Sequence, residues 1–291
     1  MATRDFTTIV SDLSFTEGPR WHEGRLWFSD FYTNQVFSVR EDGTDLRLEA
    51  EVPGQPSGLG WLPDGRLLIA SQHDRLVVRR ELDGSLVTHA DVSGHVTQHV
   101  NDMVVDERGR AYVGNFGFDL MGGDSVTSTN LVRVDPDGSV TEVADDLWFP
   151  NGMAITDDGR LLVGESFGNR VTSFVIAEDG SLSRRAAWAS FGPEPVEDAL
   201  EPAMARLVIA PDGCALAPDG TLWIADAIGG RVVHVAEGGQ ILDEIATPTG
   251  VFACALGGED GRTLFLCTAP DFMEANRRPV REAAILTTRL G

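Results

Sequence analysis

Short apolar runs punctuated by glycine recur along this chain, each built as a turn glycine, a linker residue and a hydrophobic stretch that closes on a small residue. They read GRLWFS (24–29), GRLLIA (65–70), GRAYVG (109–114), GRLLVG (159–164), GTLWIA (220–225) and GRTLFLC (261–267). The turn glycines are spaced by 41, 44, 50, 61 and 41 residues, close to the length of a four-stranded propeller blade. Five of the six copies follow a second short run, as in SGLGWLPDG (57–65), NDMVVDERG (101–109), NGMAITDDG (151–159) and DGCALAPDG (212–220). The PDG, ERG and DDG tripeptides are hairpin-turn chemistry, so each repeat opens with a β-hairpin. Alternating stretches such as RLVVRRELDGSLVTHA (75–90) predict a second hairpin around Asp83-Gly84.

Four strands in each of six repeats predict an all-β fold, a six-bladed β-propeller of antiparallel blades. No segment has the 3.6-residue period of a long helix or the composition of a linker, so a single domain is expected over residues 1–291. The last blade, residues 251–288, needs one more strand to close the ring. Residues 6–10 are apolar enough to supply it, which joins both chain ends in one blade and removes an exposed edge.

Register along the repeats carries the strongest functional signal. Eight residues before the turn glycine stand Ser57, Asn101, Asn151 and Asp212, and seven before the first stands Glu17. These oxygen-bearing side chains fall at the entry of each innermost strand, around one mouth of the central channel. Carboxylate and amide oxygens without cysteine or paired histidine suit a hard divalent cation, calcium best, with magnesium, manganese or zinc as alternatives. Asn or Asp before Gly is also an ordinary turn residue, and for a single copy that reading is the simpler one. The convergence of Glu17, Asn151 and Asp212 in one register favours a metal. Strand exits on the same face carry residues 31–34, 72–74, 115–129, 166–169, 226–228 and 269–278, together with the long connection 191–207. Long loops on the mouth of a scaffold are where substrate pockets form.

Composition narrows the partners. Of 291 residues, 23 are basic and 45 acidic, a formal charge of −22, which repels nucleic acid and anionic membrane surfaces. No stretch has the length of a signal peptide or an apolar span, so a cytoplasmic location is expected. Cys214, Cys254 and Cys267 match no zinc or disulfide pattern and are expected as reduced core thiols. Trp21, Trp27, Trp61 and Trp223 recur within the hairpins and are expected to pack between blades.

The motifs TEGPRW (16–21), VNDM (100–103), FPNGMA (149–154), APDGCALAPDGTLWIAD (210–226) and FACALGGEDGRTLFLCTA (252–269) together resemble the senescence marker protein/gluconolactonase family, also called regucalcin-like. The resemblance implies that one divalent ion is held on the channel axis by the residues matching Glu17, Asn151 and Asp212, with Asn101 in the substrate and metal surroundings. It also implies hydrolysis of a lactone, typically of a sugar acid. Two positions depart from the pattern: His99 stands where many sugar lactonases carry arginine, and Met103 where glycine commonly follows. Loss of a five-donor guanidinium changes which polyol can be held.

For that chemistry a divalent ion polarises the carbonyl and activates water. Asp212 is the candidate base and Asn101 a donor to the substrate or the developing oxyanion. His99 shares a strand face with Asn101 and is a substrate-binding candidate, either as donor or as a hydrogen-bonded wall residue. His73 overlooks the same mouth. Asp102 either orders the site from behind or caps a turn. Ser57 has no adjacent histidine to activate it, which argues against a serine esterase. A small-molecule lactone is the expected substrate; the alternatives are a cation-binding propeller without turnover, or hydrolysis of another ester class such as phosphotriesters.

Overall fold

The turn glycines take the backbone conformation that their hairpins demand: Gly65 lies at φ +84° and Gly159 at +79°, where a Cβ would be strained. The computed structural model describes residues 4–291; the expected domain's first residues, 1–3, lie outside the described residues. The hairpins build six four-stranded antiparallel sheets, the expected six-bladed propeller. Its inner strands are Thr16–His22, Pro56–Trp61, Val100–Val105, Pro150–Ile155, Pro211–Leu216 and Gly250–Gly257. Each packs on the inner strands of both neighbouring blades.

Ring closure follows the expected route. The strand Thr7–Leu13 pairs antiparallel with Ala283–Arg289 and becomes the outer strand of the sixth blade, with Thr7 opposite Thr287 and Leu13 opposite Ala283. It runs past Val10, where the sequence suggested an end. Two register slips interrupt its apolar alternation, yet Val10 and Leu13 both reach the core.

Apolar clusters fill the wedges between blades. Val36 and Val52 pack with Leu59 and Ile69 between the first two blades, and Tyr112 and Leu131 pack with Met153 and Val163 between the third and fourth. The tryptophans serve these wedges as expected. Trp21 stacks on Phe265 at 5.3 Å across the ring closure, Trp27 meets Trp61 edge-on at 5.5 Å, and Trp223 joins the cluster that contains Cys254 and Leu264. All three cysteines are free thiols, with Cys254 and Cys267 buried. The short helices Leu200–Ala205 and Glu274–Arg277 lie inside connections expected as loops, each too brief for a helical period to show in sequence. Among the described residues no helix is long and apolar enough to cross a membrane.

The inner strands approach one another so closely that side chains do not fit at several points, Gly18, Gly58, Gly152 and Gly213 among them. A Cβ on Gly58 would lie 2.4 Å from the Met103 nitrogen, and one on Gly152 would lie 2.3 Å from the Asp212 carbonyl oxygen. Gly152→Ala is therefore expected to lower stability by about 1–3 kcal/mol through forced separation of two blades. Urea unfolding measures this, and an unchanged midpoint would show that the inner ring has slack.

Candidate active site

In every blade the inner strand slips register at the same place. The slips lie between Glu17 and Arg20, Pro56 and Leu59, Val100 and Met103, Pro150 and Met153, Pro211 and Cys214, and Val251 and Ala253. A bulge bends the strand and re-aims the residue beside it. Glu17, Asn101, Asn151 and Asp212 are turned this way into one cavity at the channel mouth, and all four are buried. Ser57 is set back, its hydroxyl donating to Asn101 Oδ1 at 3.5 Å. The sixth blade brings Phe252 to the same cavity from between its slip residues.

The electrostatics of this floor are unusual for a protein interior. Burial, followed by the nearby Asp212 and Asp102 carboxylates, holds the Glu17 carboxyl well above the ordinary range. Burial and Asp102 do the same to Asp212, opposed by hydrogen bonds from the Gly213 N–H, at 3.0 Å, and from the Asn151 side chain. Arg20 is committed elsewhere: its guanidinium donates to Asp102 Oδ1 and to the Met103 carbonyl, both at 2.7 Å. Asp102 thus lies behind the floor, tied to Arg20, rather than on it. Asn151 is oriented by Nδ2 donation to Ser166 Oγ at 3.1 Å, and Ser166 donates onward to the Pro211 carbonyl at 2.7 Å. The Asn101 Nδ2 is buried without a partner among the described residues.

Three residues that hold this floor were not found from sequence. Asp30 accepts the Phe15 N–H at 2.9 Å, Glu165 accepts the Trp148 N–H at 2.9 Å, and Asp226 accepts the Ala210 N–H at 3.1 Å. Each of these carboxylates ends the second strand of a blade and fixes the backbone two or three residues before Glu17, Asn151 or Asp212. Ser71, Asn115 and Ala269 occupy the equivalent strand ends in the other blades. An acid at the end of the repeated run, present only in blades with a candidate ligand, is the signal that marks them.

A second layer stands above the floor. Phe15, Gln55, His99, Phe149 and Ala210 each precede a floor-register residue by two positions and all line the cavity. Each lies just before its inner strand begins, so His99 does not share a strand face with Asn101 as expected, and the loop conformation, with Gln55 and Phe149 at positive φ, places them. His99 and His73 are both on this wall, with ring centroids 4.4 Å apart. Burial, and then the neighbouring His73, lowers the His99 pKa and keeps its imidazole neutral near pH 7. The loops expected over the mouth add Phe31, Phe116, Phe167, Met204, Ile228 and Phe272. Together they surround a cavity whose outer part is open to solvent.

The donor set fits a hard cation. Two buried carboxylates and an amide oxygen from three blades face one space, and the neighbouring arginine does not neutralise them. Among the described residues no group of three or more His, Cys, Asp or Glu gathers as a metal centre, so the set depends on the Asn151 amide as its third protein donor.

Comparison with known proteins agrees with this architecture. The family described as the SMP-30/Gluconolactonase/LRE-like region matches residues 15–270. A pentonolactonase of Haloferax volcanii is 30% identical over 260 residues, covering 87% of this chain and 81% of that protein. A regucalcin of Danio rerio is 25% identical, covering 99% and 88%. The solved structure of a gluconolactonase from Xanthomonas campestris shares the fold with a TM-score of 0.75, at 24% identity over 98% of this chain and 89% of that one.

Asp226→Ala removes the acceptor for the Ala210 N–H and the partner of Arg231, 3.0 Å away. The unsatisfied groups are expected to lower stability by about 1–3 kcal/mol, and cation binding should weaken because Asp212 is no longer held. Thermal unfolding and calorimetric calcium titration test both; wild-type values in each would remove Asp226 from this role.

Proposed function

The chain belongs to the SMP-30/gluconolactonase/LRE-like family, and from that premise we propose that it acts as one propeller unit, a divalent-cation-dependent hydrolase that opens a lactone ring to the hydroxy acid. The observation that carries the proposal is the pair of buried carboxylates, Glu17 and Asp212, facing a cavity large enough for a small molecule. Lactonase names among the relatives support the reaction class. Calcium suits the all-oxygen donor set best, held by Glu17, Asn151 and Asp212. Bound there, it would polarise the lactone carbonyl and make water a better nucleophile near neutral pH.

The chain's own groups account for the rest of the reaction. Asp212, oriented by Gly213 and Asn151, takes a proton from the attacking water as the new carbon–oxygen bond forms. Asn101 offers its unpaired Nδ2–H to the oxygen on which charge develops. The acyl–oxygen bond of the ring then breaks and the released alkoxide takes the proton back from Asp212, so that one water is consumed and one hydroxy acid leaves. His99 and His73 contact substrate from the wall and orient it.

Asp212→Ala is expected to abolish cation-dependent turnover in a protein that remains a folded propeller by circular dichroism; full activity would exclude Asp212 from the chemistry. Calcium should stabilise the wild type by about 2.7 kcal/mol at a hundredfold excess over its dissociation constant, and this shift should vanish in Glu17→Gln. A pH-indicator screen of lactones and phosphotriesters on metal-stripped protein, with calcium, magnesium, manganese and zinc restored singly, identifies the ester class. Tight cation binding without turnover of either class would indicate a non-catalytic cation-binding propeller. His99→Arg should shift preference towards polyhydroxylated lactones, and an unchanged profile would free His99 from a role in specificity.

A further inference from the structure

The wall of the cavity differs sharply from its floor. Oxygen-bearing side chains are concentrated beside Glu17 and Asp212, whereas the side wall is largely apolar, aromatic on two sides and aliphatic at Met204, Leu207 and Ile228. On one side Phe116 stacks on Phe149 at 4.4 Å, and Phe149 packs against Phe167 at 5.7 Å. On the other, Phe252 lies 4.8 Å from Phe15 and 6.2 Å from Phe272. The 73/99 histidine pair continues the first group, His99 meeting Phe116 edge-on at 5.6 Å. Phe149 holds its ring there from a backbone φ of +59°, a conformation that a bulky residue adopts only under constraint from its surroundings.

What the wall lacks is equally informative. The chain contains no lysine, and none of its arginines lines the cavity. The acidic groups facing it are the floor pair and, near the rim, Glu274, which Arg278 pairs at 2.7 Å. An anionic substituent would find no unpaired cationic side chain on the wall. The polar wall groups are few and sit together on the second and third blades: Gln55 Nε2 donates to Gln72 Oε1 at 2.6 Å, which leaves Gln55 Oε1, Gln72 Nε2 and the two imidazoles. A ring bearing a hydroxyl on each carbon would press most of them against phenylalanine, where they lose water and gain no acceptor.

On the lactonase reading, we propose that the substrate is an uncharged lactone with an aromatic or alkyl body, seated between the Phe116–Phe149–Phe167 and Phe15–Phe252–Phe272 groups with its ester directed to the floor. The wall selects for the apolar substituent through burial, and the floor carries out the same ring opening whatever the substituent.

The test is a kinetic series on the full chain with each divalent ion in turn: γ-butyrolactone, γ-hexalactone, γ-nonalactone, dihydrocoumarin and δ-gluconolactone. A buried methylene is good for about fourfold, so kcat/KM should rise at least about tenfold from γ-butyrolactone to γ-nonalactone, with δ-gluconolactone the poorest. Phe167→Ala and Phe272→Ala, on separate loops, should each flatten that rise. Binding of the γ-nonalactone lactam analogue, set against γ-butyrolactam by calorimetry, gives a readout that needs no turnover. Faster hydrolysis of δ-gluconolactone than of the alkyl lactones would overturn the proposal and leave the hydrolase reading intact. Absence of all turnover with preferential binding of the alkyl lactam would overturn the hydrolase reading and support the apolar ligand. Failure of both, or a chain-length rise unchanged in both folded variants, would overturn the proposal.

Discussion

Six strands have to run side by side around one axis, and the closeness of that approach governs everything else in this propeller. Gly58 and Gly152 stand where a neighbouring blade's backbone would collide with any Cβ, next to Ser57 and Asn151. The contact that closes the ring is therefore also the contact that fixes the spacing of the floor residues. The shared register slips act on the same short segments, since they turn successive floor side chains towards the axis instead of leaving them on a blade face. Packing and site geometry are one constraint rather than two.

That constraint concentrates charge in a way a protein core normally avoids. Glu17 and Asp212 are brought together in a buried space, and the one neighbouring guanidinium is bound to Asp102. A cluster of this kind is unfavourable unless a ligand compensates it, and a hard cation is the ligand that its donors describe. The supporting acids Asp30, Glu165 and Asp226 accept backbone N–H groups rather than lining the cavity, so their charge holds the chain, although Asp226 also adds a smaller repulsion to Asp212.

Above the floor the same strands and their loops present phenylalanine. On the proposed reading, ring opening and the choice of substituent fall to separate layers, two residues apart along the chain. Such a division lets the wall change while the floor stays fixed. In this chain the contrast between the layers is strong, and the place of His99 and the forced conformation of Phe149 belong to the wall.

The repeat period, the hairpin turns and the register of Glu17, Asn101, Asn151 and Asp212 were legible in the sequence, because each depends on local rules: turn chemistry, two-residue alternation and spacing between copies. So was the closing strand, apart from the stretch to Leu13 hidden by its bulges. What the tertiary structure decided is which side chains share a space. The burial that raises Glu17 and Asp212, the diversion of Arg20 to Asp102 and the aromatic wall join residues from different blades, some of them more than a hundred positions apart. Only closure of the ring brings such residues within contact distance, and desolvation, which makes a charge costly or an aromatic wall selective, exists only once they are enclosed.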